Sequence, residues 1–174
     1  MKQARQQQLI ISGRGGQGVL TITRLLAETA AALALEVITA ETHGMAQRGG
    51  SVISMVKVGP FMGPLIAPGQ AQVGLFLAAD NLPRHSFYLH PQAAVFVNTK
   101  TPGSYQALDA LGLAQRLGLP PVSLNLILLG YAAASGQLFC PVQSLEETLA
   151  AVTPAKWLAA SHQALTAGAA AWPA

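Results

Sequence analysis

The chain is poor in charged residues and has a single cysteine. Only 10% of its 174 residues are charged, against about 25% in an ordinary domain. One thiol, that of Cys140, excludes a disulfide framework within the chain. It also excludes a zinc ribbon or an iron–sulfur cluster held by this chain alone, because such sites need about three or four cysteine or histidine ligands. Disorder is excluded as well, since 51% of the residues are hydrophobic.

Clustered basic charge, long apolar runs and aspartate are also scarce. The formal net charge of +3 is spread along the chain, so we expect no nucleic-acid partner. There is no run of eighteen apolar residues and the first residues do not resemble a signal peptide, so we expect a cytoplasmic protein without a membrane contact. Asp80 and Asp109 are the only aspartates. This disfavours a catalytic aspartate pair, and we assign no catalytic residue.

The order of apolar runs and glycine turns predicts an α/β fold. The apolar run at residues 9–11 indicates a buried strand, 19–34 a helix, and 36–42 a second strand, which together predict a βαβ unit. Further strands are expected at 51–58, where apolar residues alternate between two faces, at 72–78 and at 93–97. Helices are expected at 82–89, 105–117, 123–135, from 144 onward and at 154–170. Ser123 is expected to cap the helix that follows it, and Ser144 and Glu147 are expected to form a capping box. We therefore expect three layers, α/β/α, around a mostly parallel (mixed) central sheet, with a helical C-terminal part. No linker divides the chain, so one domain spanning residues 1–174 is expected.

The first candidate site is the glycine-rich turn between the first strand and the first helix. Its residues have the spacing G-x-G-x-x-G and are Gly13, Arg14, Gly15, Gly16, Gln17 and Gly18. Glycines let a diphosphate approach the backbone, and the helix N-terminus offers N–H groups and the positive end of its dipole. Glu41 ends the second strand, about where a dinucleotide site has its ribose-binding carboxylate. The alternative is a tight turn whose glycines only allow close packing of helix on strand.

The second candidate site lies between the second and third strands, at residues 41–50. Its candidate ligand-binding residues are His43, Gln47, Arg48 and Gly49. Arg48 beside two glycines is suited to present its guanidinium to a carboxylate or phosphate. Both loops follow the carboxyl ends of strands, where open α/β sheets bind ligands. The alternative is a polar loop in which Arg48 pairs with Glu41, and the lone His43 predicts no metal site.

Four other polar or reactive residues are interpreted as structural. Cys140 is expected to be a buried small hydrophobe, and His85 and His90 are expected at the surface. Asn125 lies in an apolar helix, where an unpaired amide is costly. We expect it to bond a loop backbone or a ligand.

Two runs stand out when the loops are considered together. They are Gly-Arg-Gly-Gly-Gln-Gly-Val at 13–19 and Glu-Thr-His-Gly-Met-Ala-Gln-Arg-Gly-Gly at 41–50. With Asp80-Asn-Leu, Val-Asn-Thr at 97–99 and the segment 123–130, they resemble the gamma-type domain of 2-oxoacid:ferredoxin oxidoreductases. Within that family, the run from His43 to Gly50 is similar to that of the indolepyruvate enzymes' beta subunit.

The resemblance implies a role as a small subunit that is inactive alone. Enzymes of this family oxidatively decarboxylate a 2-oxoacid, such as indolepyruvate, to an acyl-CoA with coenzyme A and oxidised ferredoxin. They use thiamine diphosphate, Mg²⁺ and [4Fe-4S] clusters, for which this chain has neither the thiamine-binding motif nor the cysteines. These cofactors are therefore expected on a larger alpha subunit, which ferredoxin meets in the complex. Coenzyme A is expected at the subunit interface.

Several alternatives stay open at this stage. The glycine loop is expected to touch coenzyme A, thiamine diphosphate or only the partner protein. The chain as a whole is either this subunit, a stand-alone Rossmann-like dinucleotide-binding oxidoreductase, or a purely structural partner. The low charge predicts a surface covered by another subunit, or by a second copy of the chain when it is isolated.

Overall fold

The computed structural model describes residues 6–41 and 49–173. Six strands and six helices lie within these ranges. Their bounds are β1 (Gln7–Arg14), α1 (Val19–Ala32), β2 (Val37–Glu41), β3 (Ser51–Val58), β4 (Ala71–Phe76), α2 (Leu82–His85), β5 (Leu89–Asn98), β6 (Gln106–Leu108), α3 (Ala110–Arg116), α4 (Leu124–Ala134), α5 (Val142–Val152) and α6 (Ala155–Ala170). Short 3-10 turns occupy Ala79–Asn81, Ser86–Tyr88 and Pro121–Ser123.

The strands form one mixed sheet in the order β2-β3-β1-β4-β5-β6. The pairs β1–β4, β4–β5 and β5–β6 are parallel, whereas β3 is antiparallel to both of its neighbours. The prediction of a mostly parallel, mixed sheet is confirmed. The simple βαβ unit is wrong in one respect, because β3 lies between β1 and β2. Strand β3 runs antiparallel to β2 and pairs with β1, so it lies between them.

Both faces of the sheet are covered, which explains the continuous apolar run in β1. Its residues 9–12 are fully buried. The larger core lies under helices α1, α3, α4, α5 and α6. The smaller core lies on the other face, where Ile66 of the β3–β4 loop and Leu82 of α2 close it. The predicted α/β fold is confirmed, with a thin second outer layer made of one helical turn and a loop.

Three local expectations are wrong at helix starts. Residues 106–108 form the edge strand β6 instead of the beginning of a helix, and Asp109 caps α3 by accepting a hydrogen bond of 2.9 Å from the Gly112 N–H. Helix α5 begins after Pro141, which places Ser144 in its first turn and removes the expected capping box. Ser123 precedes α4 but makes no side-chain cap. It is the last residue of a 3-10 turn, and this turn continues directly into the helix.

Helices α4 and α6 cross closely at two glycines. A Cβ atom on Gly130 would collide with the carbonyl oxygen of Leu165, and one on Gly168 would collide with that of Ile127. Backbones can approach this closely only where no side chain intervenes. The crossing holds the C-terminal helix against α4, which is buried along nearly its whole length. Among the described residues, no helix is long and apolar enough to cross a membrane.

Strand β5 is only partly paired at its outer edge. Strand β6 pairs with Phe96–Asn98, which leaves the first half of β5 at the edge of the sheet. Pro91 in this half has no N–H to donate. The N–H of Gln92 donates to Nδ1 of His90 at 3.1 Å, and His90 is exposed as expected.

Replacing Gly168 by Ala is expected to lower the free energy of unfolding by about 1–3 kcal/mol, because overpacking costs that much and exceeds the helix-propensity gain of about 1 kcal/mol. Urea unfolding followed by circular dichroism measures the change. The matched control is Gln163→Ala on the exposed side of α6, which should stay within about 0.5 kcal/mol of the wild type. Equal stability of the two variants would contradict the close crossing.

Candidate functional site

The glycine loop, residues 13–18, links β1 to α1 at the carboxyl end of β1. Gly16 and Gly18 have left-handed backbones, with φ of +89° and +78°, which glycine adopts without strain. Gly18 immediately precedes α1, whose N-terminus has no side-chain cap. A Cβ atom on Gly16 would meet nothing within 4 Å. The predicted strand–turn–helix is confirmed, and its outer side is open at Gly16.

The side chain of Gln17 closes the loop from inside. Its Oε1 accepts a hydrogen bond of 2.7 Å from the Arg14 N–H, and its Nε2 donates to the carbonyl of Leu77 at 3.3 Å. The N–H of Gln17 donates to the Arg14 carbonyl at 3.1 Å. Gln17 therefore ties the loop both to itself and to the chain that follows β4.

Two asparagines hold the ends of the loop. Asn81 is 5% exposed and donates from Nδ2 to the Gly13 carbonyl at 2.7 Å. Asn125 donates from Nδ2 to the Gly18 carbonyl at 3.4 Å, and a Cβ atom on Gly18 would collide with that amide. The expectation that Asn125 bonds a loop backbone is confirmed. Close packing thus accounts for Gly18, as the structural alternative proposed.

A charged pair lies at the rim of the loop. The guanidinium of Arg14 is paired with the carboxylate of Asp80, which belongs to the 3-10 turn after β4. The two side chains are 55% and 58% exposed. Ion pairs this exposed add between about 0 and 1 kcal/mol to stability. Both charged groups are therefore accessible to a dissolved ligand.

The second loop touches the first through its described end. The N–H of Gly15 donates to the carbonyl of Gly50 at 3.0 Å, and the exposed Gly49 has a φ of +67°. His43, Gln47 and Arg48 lie outside the described residues. The hydrogen bond supports the expectation that the two loops meet at one edge of the sheet.

Glu41 does not stand where a dinucleotide site needs its carboxylate. It pairs with Ser54 of β3, and β3 separates β2 from β1. Two strand spacings amount to about 10 Å, whereas the ribose-binding carboxylate of a Rossmann fold ends the strand next to the first one. The sheet order therefore disfavours the reading of the glycine loop as a stand-alone dinucleotide site.

Sequence reasoning missed the supporting role of residues that follow the parallel strands. Asp80 and Asn81 come after β4, and Asn98 ends β5. Nδ2 of Asn98 donates to the Leu77 carbonyl at 3.0 Å, and its Oδ1 accepts from the Leu111 N–H at 3.2 Å. The available signal was an Asp or Asn at or shortly after the end of the apolar strands β4 and β5, at the edge where the glycine loop lies.

The expectation that His85 lies at the surface is wrong. Its side chain is 8% exposed, and Nδ1 lies 2.8 Å from the Ser12 hydroxyl oxygen. The single turn of α2 places it over the last residues of β1. Burial, and secondarily the charge of Arg84, lower the pKa of His85 below its usual value.

No metal-ligand cluster is formed by the described residues, since nowhere in those ranges do three His, Cys, Asp or Glu side chains converge. Cys140 is buried and belongs to the larger core. Its expected role as a small apolar residue is confirmed.

Comparison with known proteins relates nearly the whole chain to one protein family. The family model described as pyruvate ferredoxin/flavodoxin oxidoreductase matches residues 8–171. The indolepyruvate oxidoreductase subunit IorB of Archaeoglobus fulgidus is 42% identical over 92 residues, which are 53% of this chain and 46% of that protein. The same subunit of Thermococcus kodakarensis is 27% identical over 192 residues, covering 94% of this chain and 95% of that one. The alignment with the first of these relatives thus spans less than half of its length.

Solved structures share the fold at low sequence identity. The gamma subunit of a keto/oxoacid ferredoxin oxidoreductase from Geobacter sulfurreducens has a TM-score of 0.74 and 22% identity, over 93% of this chain and 95% of that one. The 2-oxoglutarate:ferredoxin oxidoreductase of Magnetococcus marinus, solved with 2-oxoglutarate, coenzyme A and succinyl-CoA, has a TM-score of 0.73 and 20% identity. The match covers 95% of this chain and 31% of that one. The α/β architecture is thus the same in these proteins.

Replacing Asn81 by Ala is expected to cost about 1–3 kcal/mol of stability, because the buried Gly13 carbonyl loses its donor. It should also speed hydrogen exchange at the Gly15 and Gln17 amides, which are hydrogen-bonded in the loop. Urea titration and amide exchange measure the two effects. Gln92→Ala, at an exposed position of β5, serves as control. Unchanged exchange in the Asn81 variant would show that the loop does not depend on this bond.

The lowered pKa of His85 predicts a loss of stability at acid pH. The unfolded chain takes up a proton as the pH falls through about 6.5, while the folded chain resists protonation, so the free energy of unfolding falls below that pH. In His85→Asn this part of the loss should vanish. Urea midpoints at pH 7.5 and 5.5 test it, and His162→Asn, which removes an exposed histidine, should keep the wild-type loss. An undiminished loss in the His85 variant would assign it to other groups.

Proposed function

The chain belongs to the pyruvate ferredoxin/flavodoxin oxidoreductase family, and we infer that it is the small, gamma-type subunit of a 2-oxoacid:ferredoxin oxidoreductase. Its substrate in the complex is indolepyruvate, as the names of its relatives suggest. The reaction is the oxidative decarboxylation of the 2-oxoacid to an acyl-CoA, with ferredoxin as electron acceptor.

We propose that thiamine diphosphate, Mg²⁺ and the [4Fe-4S] clusters belong to a larger alpha subunit. The ligand chemistry of this chain supports that division, because its single cysteine is buried in the core and a cluster needs about four thiolates. Exposed apolar side chains, among them Met62, Leu65 and Phe87, suit a surface that a partner covers. The isolated chain would then associate with itself through the same surface.

The glycine loop is proposed to bind coenzyme A at the subunit interface. The observation that carries this proposal is the open backbone at Gly16, in a loop that leads into an uncapped helix and is bonded to the second loop at Gly50. Helix N-termini preceded by glycines favour phosphate groups. The bound coenzyme in the Magnetococcus enzyme supports the choice of ligand.

The residues proposed to contact this ligand come from both loops. They are Gly13, Arg14, Gly15, Gly16, Gln17 and Gly18 of the first loop, and His43, Gln47, Arg48 and Gly49 of the second. Coenzyme A supplies the thiol that takes up the acyl group. Backbone N–H groups at Gly16 and at the uncapped N-terminus of α1 hold its phosphates, and the guanidinium of Arg14 offsets their charge. Gln17 keeps the loop in shape from inside.

The test uses the complex of this chain with its large subunit, assayed by indolepyruvate-dependent dye reduction. Gly16→Ala should raise KM for coenzyme A about tenfold with little change in kcat, because its methyl group occupies the open side of the loop. Gly136→Ala is the matched control, since Gly136 also has a positive φ (+73°) and open space around it. It follows α4, which is about 16 Å long and starts beside the glycine loop.

The outcomes separate the parts of the proposal. The isolated chain should show no activity, and equal KM values for the two variants would exclude the glycine loop as the coenzyme site. Micromolar binding of NAD(H) by the isolated chain, with no 2-oxoacid-dependent activity in the complex, would overturn the proposed function itself.

A further inference from the structure

Opposite charges lie side by side at the mouth of the glycine loop. Arg14 is part of the loop, while Asp80 follows β4, the parallel neighbour of β1. Their side chains form an ion pair, and more than half of each is exposed. A dissolved anion that approaches the loop therefore meets a carboxylate together with the guanidinium.

The carboxylate is held at this position by its neighbour. Asn81 is buried and bonds the Gly13 carbonyl at 2.7 Å. The N–H of Asn81 donates to the Ala78 carbonyl at 3.1 Å, which closes the 3-10 turn around Asp80. The backbone of Asp80 cannot move away from the loop unless these bonds break. The backbone thus keeps the carboxylate of Asp80 within reach of Arg14.

Such a pair has a small effect on folding and a larger one on binding. Exposed ion pairs contribute little to stability. A carboxylate bonded to a guanidinium, however, occupies N–H groups that would otherwise donate to a phosphate. It also repels the phosphate directly, over a range that salt shortens.

We propose that Asp80 limits the affinity of the glycine loop for phosphate-bearing ligands by masking Arg14. The inference rests on the proposed function, in which coenzyme A brings its phosphate groups to the loop. The acyl-CoA product carries the same phosphate groups when it leaves. A loop that held them tightly would slow the release of the product. Masking keeps the charge of Arg14 near the site while lowering the strength with which it holds the ligand.

Inorganic diphosphate is the probe for the test, titrated into the ¹⁵N-labelled full chain. Asp80→Asn should bind it about three- to tenfold more tightly than the wild type at low ionic strength, and the gain should shrink at high salt. The variant should fold normally, because the pair is exposed. Glu146→Gln removes the same charge from α5, far from the loop, and should leave the dissociation constant within about twofold.

Masking is separated from simple repulsion by a double-mutant cycle with Arg14→Gln. If Asp80 acts through Arg14, the effect of Asp80→Asn should fall by at least half, on a logarithmic scale, in the Arg14→Gln background. An equal effect in both backgrounds overturns the masking.

Two further outcomes distinguish this inference from the proposed function. If the Gly15, Gly16 and Gly18 amide signals shift with diphosphate but Asp80→Asn binds no more tightly than the wild type, the inference fails and the loop remains an anion site. If these signals shift in neither protein, the inference and the phosphate-binding role of the loop fail together.

Discussion

The contact between Gly18 and Asn125 is the constraint on which the geometry of the site depends. Gly18 turns the chain from β1 into α1 with a left-handed backbone, and the amide of Asn125 occupies the space that a side chain would need. The first turns of α1 and α4 are thereby fixed to each other. Since α4 in turn crosses α6 at Gly130 and Gly168, a series of close contacts, each made at a glycine, connects the loop to the C-terminal helix.

This constraint explains why the loop is built from backbone and amide groups. Gln17 fills the inside of the turn, and Asn81 and Asn125 satisfy its terminal carbonyls. The loop is consequently prepared before any ligand arrives, and a ligand need not supply the free energy of ordering it. Arg14 is the charged side chain that this preformed turn presents, and its surroundings decide how strongly the turn attracts anions.

Local patterns in the sequence predicted the parts of the fold that depend on neighbours in the chain. The alternation in 51–58 located β3, and Val52 and Met55 do lie in opposite cores. The glycine spacing located the turn after β1. The place of β3 between β1 and β2 could not be predicted, because strand pairing is a contact between distant residues. The three residues of β6 are too few to show a period, so the sequence pattern alone places them in the following helix.

The sequence predicts where the candidate site lies, but it does not predict which residues hold the glycine loop in place. The turn and its contact with the second loop followed from the rule that ligands bind at the carboxyl ends of strands. The burial of His85 over Ser12 depends on where α2 packs, which its own sequence does not reveal. The bond from Asn81 to Gly13 likewise joins residues 68 positions apart. The family model matches residues 8–171, both loops included, and identifies a family that neither glycine pattern alone identifies.

The outer edge of β5 has a consequence for the solution behaviour of so weakly charged a chain. An open strand edge can template the growth of fibrillar, strand-by-strand aggregates, and charged side chains usually prevent this. Here Pro91 has no N–H, and the N–H of Gln92 is already bonded to His90. Because the N–H groups of successive residues face opposite edges of a strand, one of these two positions leaves the outer edge without a donor. The interrupted row of donors makes this edge a poorer template for cross-β assembly without the help of charged side chains, which suits a protein so poor in charge.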